Sequence, residues 1–188
     1  MNKRIVLLGA PGSGKGTQGR RLAEQFNMPH LSTGHMLRSM TPTNSQEAEL
    51  QRHVLSGGFA PDPWIIDCVL DHLSRLKSDP GFILDGFPRT LPQAECLDRW
   101  LIEQDLGPCV AVWLDVSASV RLQRLRERRA RENRPDDDAD SLARRCELDE
   151  HQRQPILDHY DRDGRLHQID GSGTAPLVTE QIVEALSS

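Results

Sequence analysis

The sequence predicts an α/β fold, a three-layer α/β/α arrangement around a five-stranded parallel sheet, and three observations carry that expectation. The apolar run Ile5-Val6-Leu7-Leu8 leads into Gly9-Ala10-Pro11-Gly12-Ser13-Gly14-Lys15-Gly16-Thr17 and then into a helical pattern. That is the strand, loop and helix of a phosphate-binding loop, in which glycines expose backbone N–H groups and the helix N-terminus adds a positive dipole. Short apolar runs recur at Pro29–Leu31, Gly81–Asp85, Val110–Leu114 and Leu166–Ile169, with helical periodicity between them. Such alternation implies a parallel sheet covered on both faces, with ligands bound beyond the carboxyl ends of its strands. The 188 residues suit one domain, enough chain to bury roughly 70% of its unfolded surface.

The elements follow in order. Leu22, Ala23 and Phe26 share one side of the first helix. Ser32-Thr33-Gly34 starts a short helix through His35 and Arg38, and a further segment carrying Glu47 and Glu49 stops at Gly57-Gly58, so residues 32–61 read as an insert outside the sheet. Asp62-Pro63 predicts a helix start with Asp62 as the capping carboxylate, and Ile66, Val69, Leu70, Leu73 and Leu76 repeat behind it at helical spacing. Asp85 closes the next strand, and Thr90-Leu91-Pro92-Gln93 opens a helix towards Glu103. Ser117 opens an arginine-rich helix, Asn133–Asp138 reads as a mobile polar loop, and Leu142, Cys146, Ile156, Leu157 and Tyr160 give the following helix an apolar side, with a kink expected at Pro155. Gly171-Ser172-Gly173 turns into a last helix bearing Leu177, Ile182, Val183 and Leu186.

Composition narrows the function. The net charge of −5 disfavours a general nucleic-acid binder, yet the basic stretch from Arg121 to Arg145 suits a small anion. No apolar run approaches the ~20 residues that cross a bilayer, and no secretory signal opens the chain, so a cytoplasmic protein without a membrane partner is expected. Cys68, Cys96, Cys109 and Cys146 are far apart and form no C-x-x-C pair, which favours reduced structural thiols over disulfides or zinc. The loop departs from the general G-x-x-x-x-G-K-[ST] pattern, because Gly16 stands where a hydroxyl is expected and Thr17 supplies it one residue later. Which hydroxyl serves a Mg²⁺ ion is therefore open.

Five segments together resemble the adenylate kinases among the nucleoside monophosphate kinases: Gly9 to Gln18, ending Gly-Lys-Gly-Thr-Gln; Ser32-Thr33-Gly34-His35-Met36-Leu37-Arg38; Leu84-Asp85-Gly86-Phe87-Pro88-Arg89-Thr90; the Arg124 to Arg145 region; and Ile169-Asp170-Gly171. The resemblance spans essentially the whole chain and makes Gly16 the family's own form of the loop. It implies a P-loop kinase domain over residues 1–188 with a nucleotide-monophosphate-binding insert at about 32–61 and a short lid at about 129–139. The implied reaction is reversible phosphoryl transfer from Mg-ATP to AMP, giving two ADP, by a monomer.

The same resemblance implies the site residues. Gly12, Ser13, Gly14, Lys15, Gly16, Thr17, Arg124, Arg128 and Gly173 would hold ATP. Thr33, Arg38, Gly58, Phe59, Ala60, Gly86, Phe87, Pro88, Arg89 and Gln93 would hold AMP, and the lid arginines Arg134 and Arg145 would close over the phosphates. Lys15, Arg89, Arg128, Arg134, Arg145 and Asp85 would form the catalytic set, with Asp85 organising Mg²⁺ through its waters. The chemistry agrees, since phosphoryl transfer needs positioning and positive charge more than covalent help. Gln93 has a second reading, because T-x-x-Q is also a capping box that satisfies a backbone N–H. For Asp85 the plain reading is a turn or helix cap, and for Gly58 a helix stop.

Arg121, Arg126, Arg129 and Arg131 read as a solvated helix face, and the histidines His30, His53, His72, His151, His159 and His167 as surface or capping residues. The stretch between Arg128 and Arg145 lacks zinc-ligand spacing, so no structural zinc is expected. The chain departs from the family pattern at His35, where Thr-Gly-Asp is usual, and an imidazole cannot replace a carboxylate near Mg²⁺. Gly173, where some relatives carry lysine, matters less because that contact uses the backbone. A kinase for another nucleoside monophosphate is one alternative, which Thr33 and Gln93 disfavour, and His35 leaves open a second, a weakly catalytic adenine-nucleotide-binding protein.

Overall fold

Alternate residues of the first strand point to opposite sides, and this decides the layering. Ile5 and Leu7 of β1 (Arg4–Leu8) pack on one face, and Val6 and Leu8 on the other. All four are buried, the pattern of a strand covered twice. The computed structural model describes residues 4–76, 81–132 and 138–187. Among them β2 (His30–Ser32), β3 (Phe82–Asp85), β4 (Val110–Asp115) and β5 (Leu166–Asp170) join β1 in one all-parallel sheet of order β2-β3-β1-β4-β5.

Helices α1 (Lys15–Phe26) and α8 (Ala175–Ser187) cover the Ile5/Leu7 face through Leu22, Val178, Ile182 and Leu186. On the other face lie α4 (Asp62–Ser74), α5 (Leu91–Glu103) and α7 (Ala139–Asp161), which contribute Ile65, Val69, Leu97, Leu101, Ile156 and Tyr160. The three expected layers are therefore present. Between β2 and α4 stand the short helices α2 (Thr33–Ser39) and α3 (Ser45–Leu55), outside the sheet as expected. Ser32 caps α2 and Asn44 caps α3. α6 (Ala118–Glu132) carries the arginine-rich run, and Asp138 caps α7 by accepting from the N–H groups of Asp140 and Ser141. α7 remains one helix through Pro155 although that residue has no N–H to donate. Of the expected polar loop at residues 133–138, residues 133–137 lie outside the described residues. No helix among the described residues is long and apolar enough to cross a membrane.

Two expectations are corrected here. Asp62 does not cap its own helix; Pro61 flanks the start of α4, Pro63 falls inside its first turn, and the Asp62 carboxylate turns to α5. There Oδ2 accepts from Thr90 Oγ1 at 2.8 Å and Oδ1 from Gln93 Nε2 at 2.6 Å. A charged oxygen gains more from two side-chain donors than from one helix N–H, which sequence spacing alone does not reveal.

His159 is likewise no surface residue. Its Nε2 lies 2.8 Å from Asp98 Oδ2, and Arg165 grips the same carboxylate with a fork of bonds at 3.1 and 2.8 Å. Arg165 also lies over the Tyr160 ring. Beside it, burial pushes the Cys109 thiol up to about 12. The cluster fastens the end of α7 to α5 and to the start of β5. Asp98→Ala, which leaves two donors facing a hole, is expected to lower stability by about 2–3 kcal/mol, read as a shift in the urea midpoint at unchanged slope.

Candidate active site

Strand register brings three chain ends to one edge of the sheet. Leu7 of β1 pairs with Asp85, and Asp85 pairs with Ser32, so the loop after β1, the carboxylate closing β3 and the start of α2 lie side by side. In the loop, Ser13 N–H donates to Ala10 O at 3.1 Å. Gly12 has φ +83°, and a Cβ there would come within 2.7 Å of Arg121 O, so only glycine fits.

Lys15 folds back over this loop, its Nζ donating to Gly9 O and to Ala10 O. Burial lowers the pKa of its ammonium; Asp85 and then Asp149 act in the opposite direction, favouring the charged form. Arg124 ties the loop to the turn after β5, donating to Ser13 O at 3.3 Å, Ser172 O at 3.2 Å and Gly173 O at 3.1 Å.

A cavity of about 640 Å³ opens over this edge. Its wall brings together Gly12, Ser13, Gly14, Lys15, Gly16 and Thr17 of the loop with Arg38, Asp85, Gly86, Arg89, Arg124, Arg128, Arg145 and Gly173. A smaller recess of about 50 Å³ shares Arg38, Gly86, Arg89 and Arg145 with it, and is completed by Thr33, Gly58, Phe59, Ala60 and Gln93. Pro88 faces a third cavity, of about 380 Å³, beneath α7. Phe87 is brought to none of these walls: its side chain is fully buried in the core, so only its backbone is placed to meet a ligand. Arg134 lies outside the described residues, as do residues 133–137 of the expected lid.

Arg89 is held from three directions. Its Nε donates to Gly86 O at 2.9 Å, its guanidinium carbon stands 5.0 Å from the Phe59 ring centre, and Nη1 lies 3.5 Å from Asp149 Oδ1. Gln93 and Thr33, both buried, have internal partners. Gln93 Oε1 accepts from Arg89 N–H at 2.7 Å while Nε2 donates to Asp62, and Thr33 Oγ1 donates to Gly86 O at 2.8 Å. The Gln93 bond is a capping box displaced by one residue, since it serves Arg89 rather than the cap residue Thr90. The insert and α7 also touch. Arg144 donates to Ser56 O at 3.2 Å, and at Gly57, φ +91°, a Cβ would stand 2.3 Å from Ser141 O.

Asp85 faces the loop, its Oδ2 3.3 Å from where a Cβ on Gly16 would be, and Ser32 Oγ donates to that oxygen at 3.2 Å. Hard carboxylate and hydroxyl oxygens beside a phosphate loop suit Mg²⁺ with its retained waters, so this wall fits the ion. His35, exposed at the rim, adds no carboxylate. His30 is corrected from a surface or capping residue: it lines the cavity with Nε2 4.0 Å from Asp85 Oδ2, and burial lowers its pKa despite that carboxylate. Arg131 also reaches the cavity wall, and Arg121 donates to Val116 O at 3.1 Å, so neither is simply solvated.

Sequence reasoning missed Asp149, His30 and Arg20, all on the cavity wall. Asp149 was open to detection: it stands four residues after Arg145 in one helix and so shares its face. His30 and Arg20 carried no such signal, since only the fold brings the start of β2 against α1.

With this geometry established, likeness to known proteins becomes informative. A family model described as Adenylate kinase matches residues 7–165. The adenylate kinase of Rhodopirellula baltica is 40% identical over 184 residues, covering 98% of this chain and 95% of that protein. The chain belongs to the adenylate kinase family. The adenylate kinase of Phocaeicola vulgatus is 36% identical, covering 97% of each chain, and that of Ruminiclostridium cellulolyticum is 33% identical over an alignment of 211 positions. The latter alignment is longer than this chain, so that adenylate kinase carries inserted residues. Members of the adenylate kinase family are phosphotransferases that bind nucleotides and in general use Mg²⁺ with ATP.

Proposed function

We propose that this chain transfers the terminal phosphoryl group of Mg-ATP reversibly to AMP, giving two ADP. The observation that carries the reading is that the loop lysine, Lys15, and the braced arginine, Arg89, face a common space together with the loop glycines, Asp85, Arg38, Arg124 and Arg128. The loop amides and Lys15 take the donor phosphates, Arg124 and Arg128 border the donor nucleotide, and Arg38 and Arg89 take the acceptor phosphate. The acceptor base lies in the recess of Thr33, Gly58, Phe59, Ala60 and Gln93. Residues 32–61 form the acceptor insert, and the segment at about 129–139 with Arg134 and Arg145 forms the short lid that excludes water. Asp85, with Ser32 beside it, would hold Mg²⁺ through water; when bound, the ion neutralises charge on the phosphates. The protein's own part is alignment of donor and acceptor and a preformed set of cations around the transferring oxygens. The protein acts as a cytoplasmic monomer on small nucleotides, without a nucleic-acid or membrane partner.

Because Thr33 and Gln93 bond internally, choice of base is best tested directly. AMP, GMP, CMP and UMP are offered with Mg-ATP, and AMP is expected to be the preferred acceptor. A preference for CMP or UMP would move the chain to another acceptor class, and adenine-nucleotide binding without turnover would make it a binding protein. In the same panel His35→Asp, which adds a carboxylate at the cavity rim, is expected to raise turnover by up to about 10-fold. Unchanged turnover would show that Asp85 suffices alone.

A further inference from the structure

Among the charged groups of the large cavity, Asp149 has no task in phosphoryl transfer. Asp85 is the carboxylate beside Gly16, on the wall that fits a metal, whereas Asp149 stands on α7 across the cavity, among the cations. Its Oδ1 is 3.5 Å from Arg89 Nη1, and both side chains are largely withdrawn from solvent, with 20% and 25% exposed. Its field also reaches Lys15, where it is the second carboxylate after Asp85 to favour the charged ammonium. A phosphate brings its own negative charge to such a place, and a fixed carboxylate among the same cations repels it. An aspartate is, however, the side chain that most resembles a phosphate to an arginine, offering acceptor oxygens to the guanidinium N–H groups.

We propose that Asp149 is a built-in occupant of the acceptor phosphate subsite, pairing with Arg89 when no acceptor is bound and displaced by the phosphate of AMP. The proposal rests on the assignment of Arg89 to that phosphate. The carboxylate keeps Arg89 directed into the cavity, together with Gly86 O and the Phe59 ring, and at the same time lowers the affinity for AMP. Binding then becomes an exchange of one anion for another, and the apparent affinity is reduced by the fraction of molecules in which Asp149 holds the subsite. Asp149 is thus a positioning residue that tunes discrimination between a phosphorylated acceptor and its unphosphorylated nucleoside.

Calorimetric titration of the whole protein with AMP and, separately, with adenosine tests this, using wild type, Asp149→Asn and Asp149→Ser. If the pair holds the subsite most of the time, both variants are expected to bind AMP about 5- to 10-fold more tightly, with adenosine affinity equal to that of wild type. A merely structural salt bridge would instead weaken AMP and adenosine together, and that result, or an unchanged AMP affinity in both variants, overturns the proposal. Unaltered adenosine binding shows in the same experiment that the variants are folded. Wild type that neither binds nor phosphorylates AMP refutes the acceptor assignment and the proposal with it. Wild type that does both, with variants that fail to bind AMP more tightly, refutes the proposal alone.

Discussion

Lys15→Met is expected to lower turnover with Mg-ATP and AMP by about 10²–10³-fold, while circular dichroism and the thermal transition stay close to wild type. Methionine fills nearly the same volume, so the loss isolates the ammonium. In the structure that ammonium is buried against Gly9 O and Ala10 O, with Asp85 and Asp149 favouring its charge. The two carbonyls hold the ammonium on the cavity wall, where its charge can act on the phosphates as charge shifts between donor and acceptor. A loss of this size corresponds to about 3–4 kcal/mol of transition-state stabilisation. Turnover within a factor of three of wild type would remove Lys15 from the chemistry and leave the loop a binding element only.

Arg89→Ala is expected to lower kcat/KM for AMP by at least about 10²-fold, with a much smaller effect on the KM for ATP. The asymmetry follows from position. Arg89 borders both the large cavity and the recess of Thr33 and Gln93, and its three contacts fix it on the acceptor side. Truncation removes a bidentate donor and leaves Asp149 without its Arg89 partner, so a remaining carboxylate repels the incoming phosphate. Arg89→Lys keeps the charge and loses the planar fork, and is expected to recover only a minor part of the activity. Equal losses for AMP and ATP in steady-state kinetics would place Arg89 at the transferring group rather than at the acceptor phosphate.

The contrast between what the residues disclosed and what they concealed has a physical origin. β1, the loop and α1 were legible because three signals agree over consecutive residues: a doubly buried strand, glycines at a tight turn, and helical periodicity beyond. Asp85 was legible because a carboxylate closing a strand next to such a loop has few other uses. Asp62 was misread because a carboxylate before a proline at a helix start satisfies the local rule equally well, and its actual partners, Thr90 and Gln93, lie 28 and 31 residues away. The same applies to His159 and Asp98, and to His30, whose ring packs against Gly19 of α1. Asp149 differs, since one helical turn from Arg145 would have found it. The rule for reading such sites is to follow every arginine assigned to a phosphate by a turn in each direction.

On the proposed reading, one cavity holds donor and acceptor together and passes a phosphoryl group between them without losing it to water. The most direct test is the stoichiometry of the wild-type reaction with Mg-ATP and AMP, followed by quantitative separation of nucleotides. Two ADP are expected for each AMP consumed, with no inorganic phosphate released. ATP broken down to ADP and phosphate while AMP stays unchanged would contradict it.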